Sequence, residues 1–229
     1  MWHRQVKERR FAALLVILLI LLAGPPILIG LGLSAVWFDG LMSILIVAAI
    51  VSLCFERRER LFALCLGIPS ILFFLGSYVL PGPIKQWSFF LGHSCEVLFL
   101  FGSAALIVKS LFGSVGHSPD SIRGAICGYL FLGLGWAVLY SMIDLVQPGS
   151  FALSGKPTSL HGTGRPPSDV LTYYSFVTLT TMGYGDVVPV TPATRTCAWI
   201  EAVSGQFYLT VVVAGIVSML ASRRGGKPQ

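Results

Sequence analysis

SDVLTYYSFVTLTTMGYGD, residues 168–186, is moderately apolar, too short to cross a bilayer, and closes on two glycines one residue apart. A bilayer core of about 30 Å needs roughly 20 apolar helical residues. Ser168, following Pro166 and Pro167, is placed to cap a short helix over 169–180. Beyond the glycines the chain is polar and Pro-containing from Asp186 to Thr194, and a long apolar run begins near residue 195. A short helix that enters a membrane and returns is tolerated only where protein or water surrounds it. The order of long span, short helix, glycine loop and long span therefore predicts a water-lined, re-entrant unit.

The rest of the chain supplies the membrane for that unit. It has 229 residues, 55% hydrophobic and 11% charged, with a mean hydropathy of +0.79, against about a quarter charged in soluble domains. Apolar runs at 11–31, 36–55, 61–80, 87–112, 124–146 and 195–221 predict an all-α membrane protein with six transmembrane helices plus the re-entrant helix and loop. The basic head before the first run is also how a secretory signal begins. The apolar character continues past Gly24-Pro25-Pro26 to Leu33, longer than a signal core, so the run reads as a retained span. Gly124, Gly128, Gly133 and Gly135 in the fifth run are expected to admit close helix neighbours. The expected domains are a four-helix part (1–112), a linker (113–123), a pore-type part (124–221) and a tail (222–229).

The net charge of +6 does not indicate nucleic acid, because the basic residues cluster beside apolar runs instead of along one folded face. With six spans and a cytoplasmic N-terminus, twelve Lys and Arg fall on the cytoplasmic side. Lys85, Lys156, Arg165 and Arg195 fall outside. That bias predicts a multi-pass protein of the cell membrane, bathed in membrane lipids, with both termini cytoplasmic. Cys54, Cys65, Cys95, Cys127 and Cys197 lie in or beside apolar runs and have no metal-binding spacing, which reads as helix packing.

A monovalent cation crosses lipid only if something replaces its water shell, and rings of backbone carbonyls aimed at one axis do so. An ordinary strand alternates its carbonyl directions. Gly183 and Gly185, at alternate positions, let the chain escape that alternation. Thr181 offers a hydroxyl at the inner end, while Met182 and Tyr184 would turn their side chains away as packing. Residues 170–221 resemble the pore module of potassium channels, in Tyr173-Tyr174, Thr178-Leu179-Thr180-Thr181, Gly183-Tyr184-Gly185-Asp186, Pro189 and the Glu201, Gly205 and Gln206 region. With the span at 124–146 the resemblance covers about 100 residues.

The resemblance implies a selectivity filter of Thr181, Met182, Gly183, Tyr184 and Gly185, with K+ as the permeant ion held at Thr181 to Tyr184 and no other cofactor. One filter strand cannot surround an ion, so the family implies a homotetramer. Met182 departs from the more usual Val or Ile, which leaves its carbonyl in place. Asp186 is expected at the outer mouth, bonded to Tyr173 or Tyr174 or else simply solvated. Glu201 either braces the filter from behind or makes an interfacial contact, and Gly205 and Gly215 are candidate hinges or packing points.

The fourth span carries no arginine, only Lys109 at its cytoplasmic end, so strong voltage dependence is not expected. His93 and Glu96 in its interior read as a pH sensor or as a hydrogen-bonded helix contact. The short tail after Ala221 leaves gating to the membrane, a partner or the filter. The chain carries no HExxH, nucleophile elbow or paired carboxylates, so it is not expected to be an enzyme. The alternatives are a polytopic transporter, for which no internal repeat is evident, and a non-conducting channel-like subunit.

Overall fold

The computed structural model describes residues 10–30, 44–49, 57–79, 83–112, 120–153, 155–158, 160 and 167–218. Most of the expected second span (36–55), most of the linker, and both termini lie outside the described residues; 44–49 are helical.

Helix α1 (Arg10–Gly30) and α2 (Arg57–Val79) precede α3 (Pro83–Phe112) and α4 (Asp120–Val146). The short α5 (Pro167–Leu179) leads through the glycine loop to α6 (Pro192–Phe207). The last helix continues as a wider π-helical stretch over Tyr208–Val213, then as α-helix to residue 218. The chain is a mostly helical membrane protein. Trp87–Phe112, Asp120–Val146 and Pro192–Ser218 are long and apolar enough to cross a bilayer, whereas Phe11–Gly24 and Leu61–Phe73 are shorter apolar helices. Ser168 does not precede α5 as its cap. The helix starts at Pro167, whose missing N–H is harmless in a first turn.

Helix α4 is the hub, packing against α1, α3, α5 and α6. Its glycines do admit close neighbours, and those neighbours are aromatic side chains from four elements. Phe11 of α1 lies at Gly124, Tyr208 of the π-helical stretch at Gly128, Phe176 of α5 at Gly133 and Phe101 of α3 at Gly135. One apolar core joins α1, 44–49, α3, α4 and the lower part of the last helix. A second, around Trp136, Tyr140, Phe151, Leu171 and Tyr174, lies between α4 and α5.

The polar stretch after α4 is not structureless. It forms the hairpin β1 (Phe151–Leu153) and β2 (Lys156–Thr158), and β3 (Val187–Pro189) pairs antiparallel with the other edge of β1. Gly155, at φ +81, makes the tight turn. Pro157 and Pro189 sit on the two edge strands, where a missing N–H is tolerated. Among the described residues this small sheet is the one departure from an all-α chain, and it ties the segment just after the glycine loop to the end of α4.

Candidate functional site

The site begins at the last turn of α5. The Met182 and Gly183 N–H groups donate to the Val177 carbonyl at 2.9 and 3.3 Å, and the Thr181 N–H donates to Thr178 at 2.9 Å. The chain therefore leaves the helix in a tight turn. Through the loop the sign of φ alternates. Thr181 (φ 58), Gly183 (φ 58) and Gly185 (φ 77) are positive, while Met182 and Tyr184 are not. Positive φ suits glycine, but for a β-branched threonine it is rare and costs about 1–3 kcal/mol, a strain that concentrates at functional sites. Thr181 is held there by its own N–H bond and by the Gln206 amide, which donates to its hydroxyl at 3.3 Å. Thr180 to Asp186 are all exposed on the single chain. Met182 at 57% and Tyr184 at 66% find no packing within it.

Both ends of the loop are braced. At the loop's Asp186 end the Tyr173 hydroxyl donates to Asp186 at 2.7 Å, and this bond holds the Asp186 carboxyl below the usual carboxylate range. Tyr173 is thus the aromatic partner left open by the sequence. Tyr174 instead packs edge-on against Tyr140 and Phe151, with ring centroids 5.2 and 5.1 Å away. Beyond Asp186, β3 pairs with β1, the Val190 N–H donates to Ser150 at 2.9 Å, and the Thr194 hydroxyl donates to the same carbonyl at 3.2 Å. The corner carrying Ser150 is fixed by Asp144, fully buried. Its carboxylate accepts from the N–H groups of Gly149, Ser150 and Leu160 at 3.2, 3.3 and 3.0 Å.

Behind the loop lies Glu201, 0% exposed. It meets Tyr140 of α4 at 2.7 Å and Ser175 of α5, so it joins three helices and is no interfacial contact at the surface. One turn further, a Cβ on Gly205 would stand 2.3 Å from the Leu179 carbonyl oxygen, so the last helix meets the end of α5 backbone to backbone. Leu179 also accepts from Tyr129 at 3.2 Å. Gly215 lies well away from the loop, against the ring of Phe112. His93 and Glu96 are likewise remote, one turn apart on α3 with 3.5 Å between Nδ1 and Oε2. Asp144, Ser175 and Tyr140 are supports absent from the sequence reading, and Gln206, which enters there only through the resemblance, is a fourth. A serine and an aspartate inside apolar helices were the available signal, since buried polar groups need partners. Among the described residues, no group of three or more His, Cys, Asp or Glu side chains could hold a metal ion.

A family model described as "Ion channel" matches residues 167–222, which span α5, the glycine loop and the last helix. Over 84 residues the chain is 39% identical to "Two pore potassium channel c" of Oryza sativa subsp. japonica, covering 36% of this chain and 18% of that protein. The chain thus spans under a fifth of that relative's length. No solved structure matches. These similarities are to channels and point away from an enzyme: residues 167–222 are similar to an ion-channel family, and the 84-residue match is to a potassium channel.

Proposed function

We propose that the chain is one subunit of a potassium-selective channel, with four copies placing residues 181–185 around a common axis. The alternating sign of φ at Thr181, Gly183 and Gly185 carries this reading. In a strand with every φ negative, successive carbonyls point to opposite sides. Reversing φ at every second residue turns them to one side, where they replace the hydration of K+. The Thr181 hydroxyl adds the innermost oxygen. The carbonyl end of α5 contributes partial negative charge toward the inner cavity, which favours a cation there. Met182 and Tyr184, exposed on one chain, pack in the assembly and fix the ring diameter. A homotetramer supplies both the four strands and that packing.

The remaining assignments follow from the same reading. The chain crosses the cell membrane six times with both termini cytoplasmic, α5 being re-entrant. Residues 1–112 form a four-helix part, 113–123 a linker, 124–221 the pore part and 222–229 a tail. Tyr173, Tyr174, Asp186 and Glu201 support the filter. The last helix flexes between Gly205 and Gly215, where the π-helical stretch Tyr208–Val213 already departs from regular hydrogen bonding. Voltage gating is weak. Helix α3 carries no arginine and only Lys85 and Lys109 as lysines, and the Lys109 ammonium lies 3.7 Å from a Glu59 oxygen. Each charge crossing the field is worth about 2.3 kcal/mol per 100 mV, so steep gating needs several.

Liposomes reconstituted with this chain alone test the proposal. Passive uptake of rubidium with sodium excluded is the expected result, and Gly183→Ala should abolish the discrimination. Uptake that ignores that substitution would refute the filter assignment.

A further inference from the structure

We propose that Glu201 is a neutral carboxylic acid that donates its proton to Ser175, and so acts as a positioning residue fixing α5 behind the glycine loop. The geometry requires a count of protons. The Ser175 oxygen lies 2.7 Å from the Gly133 carbonyl oxygen and 2.5 Å from Glu201 Oε1. A carbonyl has no proton to give, so the Ser175 hydroxyl must donate to Gly133. That uses its one hydrogen. The contact with Glu201 then needs a proton from the carboxyl group. The other carboxyl oxygen, Oε2, accepts from the Tyr140 hydroxyl at 2.7 Å, which completes a chain from Tyr140 through Glu201 and Ser175 to Gly133.

An ionised Glu201 would leave two oxygens 2.7 Å apart with no hydrogen between them. It would also bury a full charge at 0% exposure. Among the described residues the ion pairs use Glu96, Glu59 and Asp120 as acidic partners, and none reaches Glu201. A buried charge without a counter-ion is costly, and such groups neutralise. Among the described residues the ionisable neighbours are Tyr129 and Tyr140 on α4, Tyr174 on α5 and Cys197 on α6. All are weak acids, and none supplies positive charge.

The protonation stands on the hydrogen bonds alone, whereas its consequence for conduction rests on reading residues 181–185 as the filter. Ser175 lies two residues before Val177, whose carbonyl accepts from Met182 and Gly183. The neutral link therefore sets the position of the turn from which the loop starts.

Infrared spectroscopy of the full chain in liposomes at neutral pH tests the proton directly. The spectrum of the wild type minus that of Glu201→Gln should contain the C=O stretch of a protonated, hydrogen-bonded carboxyl. Ser175→Ala should shift that band upward as its hydrogen bond is lost. Absence of the band overturns the proposal, and so does a band that Ser175→Ala leaves in place. In rubidium and sodium uptake, Glu201→Gln keeps both a donor and an acceptor and should retain discrimination. Glu201→Ala removes the donor to Ser175 and leaves the buried Tyr140 hydroxyl without its acceptor, and should lose about tenfold or more. Equal failure of Gln and Ala overturns the donor role. A clear band in a wild type that conducts nothing upholds the proton and refutes the filter reading, which keeps the two separable.

Discussion

Replacing Gly205 by alanine tests how closely the last helix supports the loop. The added Cβ would stand 2.3 Å from the Leu179 carbonyl oxygen and 3.0 Å from Leu179 Cδ1. Against an ordinary contact distance, the first figure is short by roughly 1 Å. The obstacle is backbone, and it cannot rotate away as a side chain would. Leu179 O is also fixed by Tyr129, and Thr181 follows two residues later. The methyl group must therefore push α6 and the end of α5 apart. Overpacking costs about 1–3 kcal/mol, with the upper end expected against backbone. Alanine recovers about 1 kcal/mol of helix propensity over glycine. The net expectation is a loss of about 2 kcal/mol per chain, together with loss of discrimination between potassium and sodium. Thermal unfolding of the purified protein reads the first, and liposome uptake reads the second. Gly215→Ala is the control. There the Cβ meets only the Phe112 ring, at 3.1 Å, and the ring can shift, so a change within about 0.5 kcal/mol is expected. If Gly205→Ala keeps wild-type stability and selectivity and alters only the open time, the glycine serves as a hinge and the packing argument is wrong.

Three further outcomes follow from the supports. Asp186 gains its Tyr173 bond as a carboxylate, so the bond is complete above the ordinary carboxylate range of about 4. It is lost as pH falls through the depressed native value. Acidifying the medium should therefore impair wild-type uptake, whereas Tyr173→Phe, which lacks the bond at every pH, should be impaired already at neutral pH and lose that acid-dependent step; identical acid profiles would remove Tyr173 from the brace. Asp144→Ala leaves three N–H groups without their acceptor and should cost at least about 2 kcal/mol in thermal unfolding. Asp144→Asn, which keeps one carbonyl oxygen, should cost less. Gly128→Ala places a Cβ 2.3 Å from the Tyr208 hydroxyl, breaking its bond to Ala125 O. The expected result is a less stable protein whose ion discrimination is intact, because this contact lies below the loop.

The features carried by local sequence were legible. The short helix ends within a residue of its expected limit, since apolar length, the flanking prolines and the two glycines all act locally. The glycines of α4 signal close approach within an apolar run, and each has an aromatic ring or hydroxyl over it. The features missed depend on pairing at a distance. Three-residue strands at 151, 156 and 187 carry too little pattern to reveal a sheet, because their register is set by the Asp144 corner and by where α5 returns the chain. Tyr173 and Tyr174 are adjacent and chemically identical. Only the helix phase sends one to Asp186 and the other into the aromatic core. Ser175 looked like a small helix residue, and its value appears only when Gly133 and Glu201 arrive from two other helices.

The central claim is that backbone oxygens of residues 181–185 conduct potassium and reject sodium. The most direct measurement is the reversal potential of the purified chain in a planar bilayer, with potassium on one side and sodium on the other. The account predicts a reversal displaced far toward the voltage that arrests potassium flow, and a collapse toward zero in Gly183→Ala. A wild-type reversal near zero, or one that Gly183→Ala leaves unmoved, would contradict it.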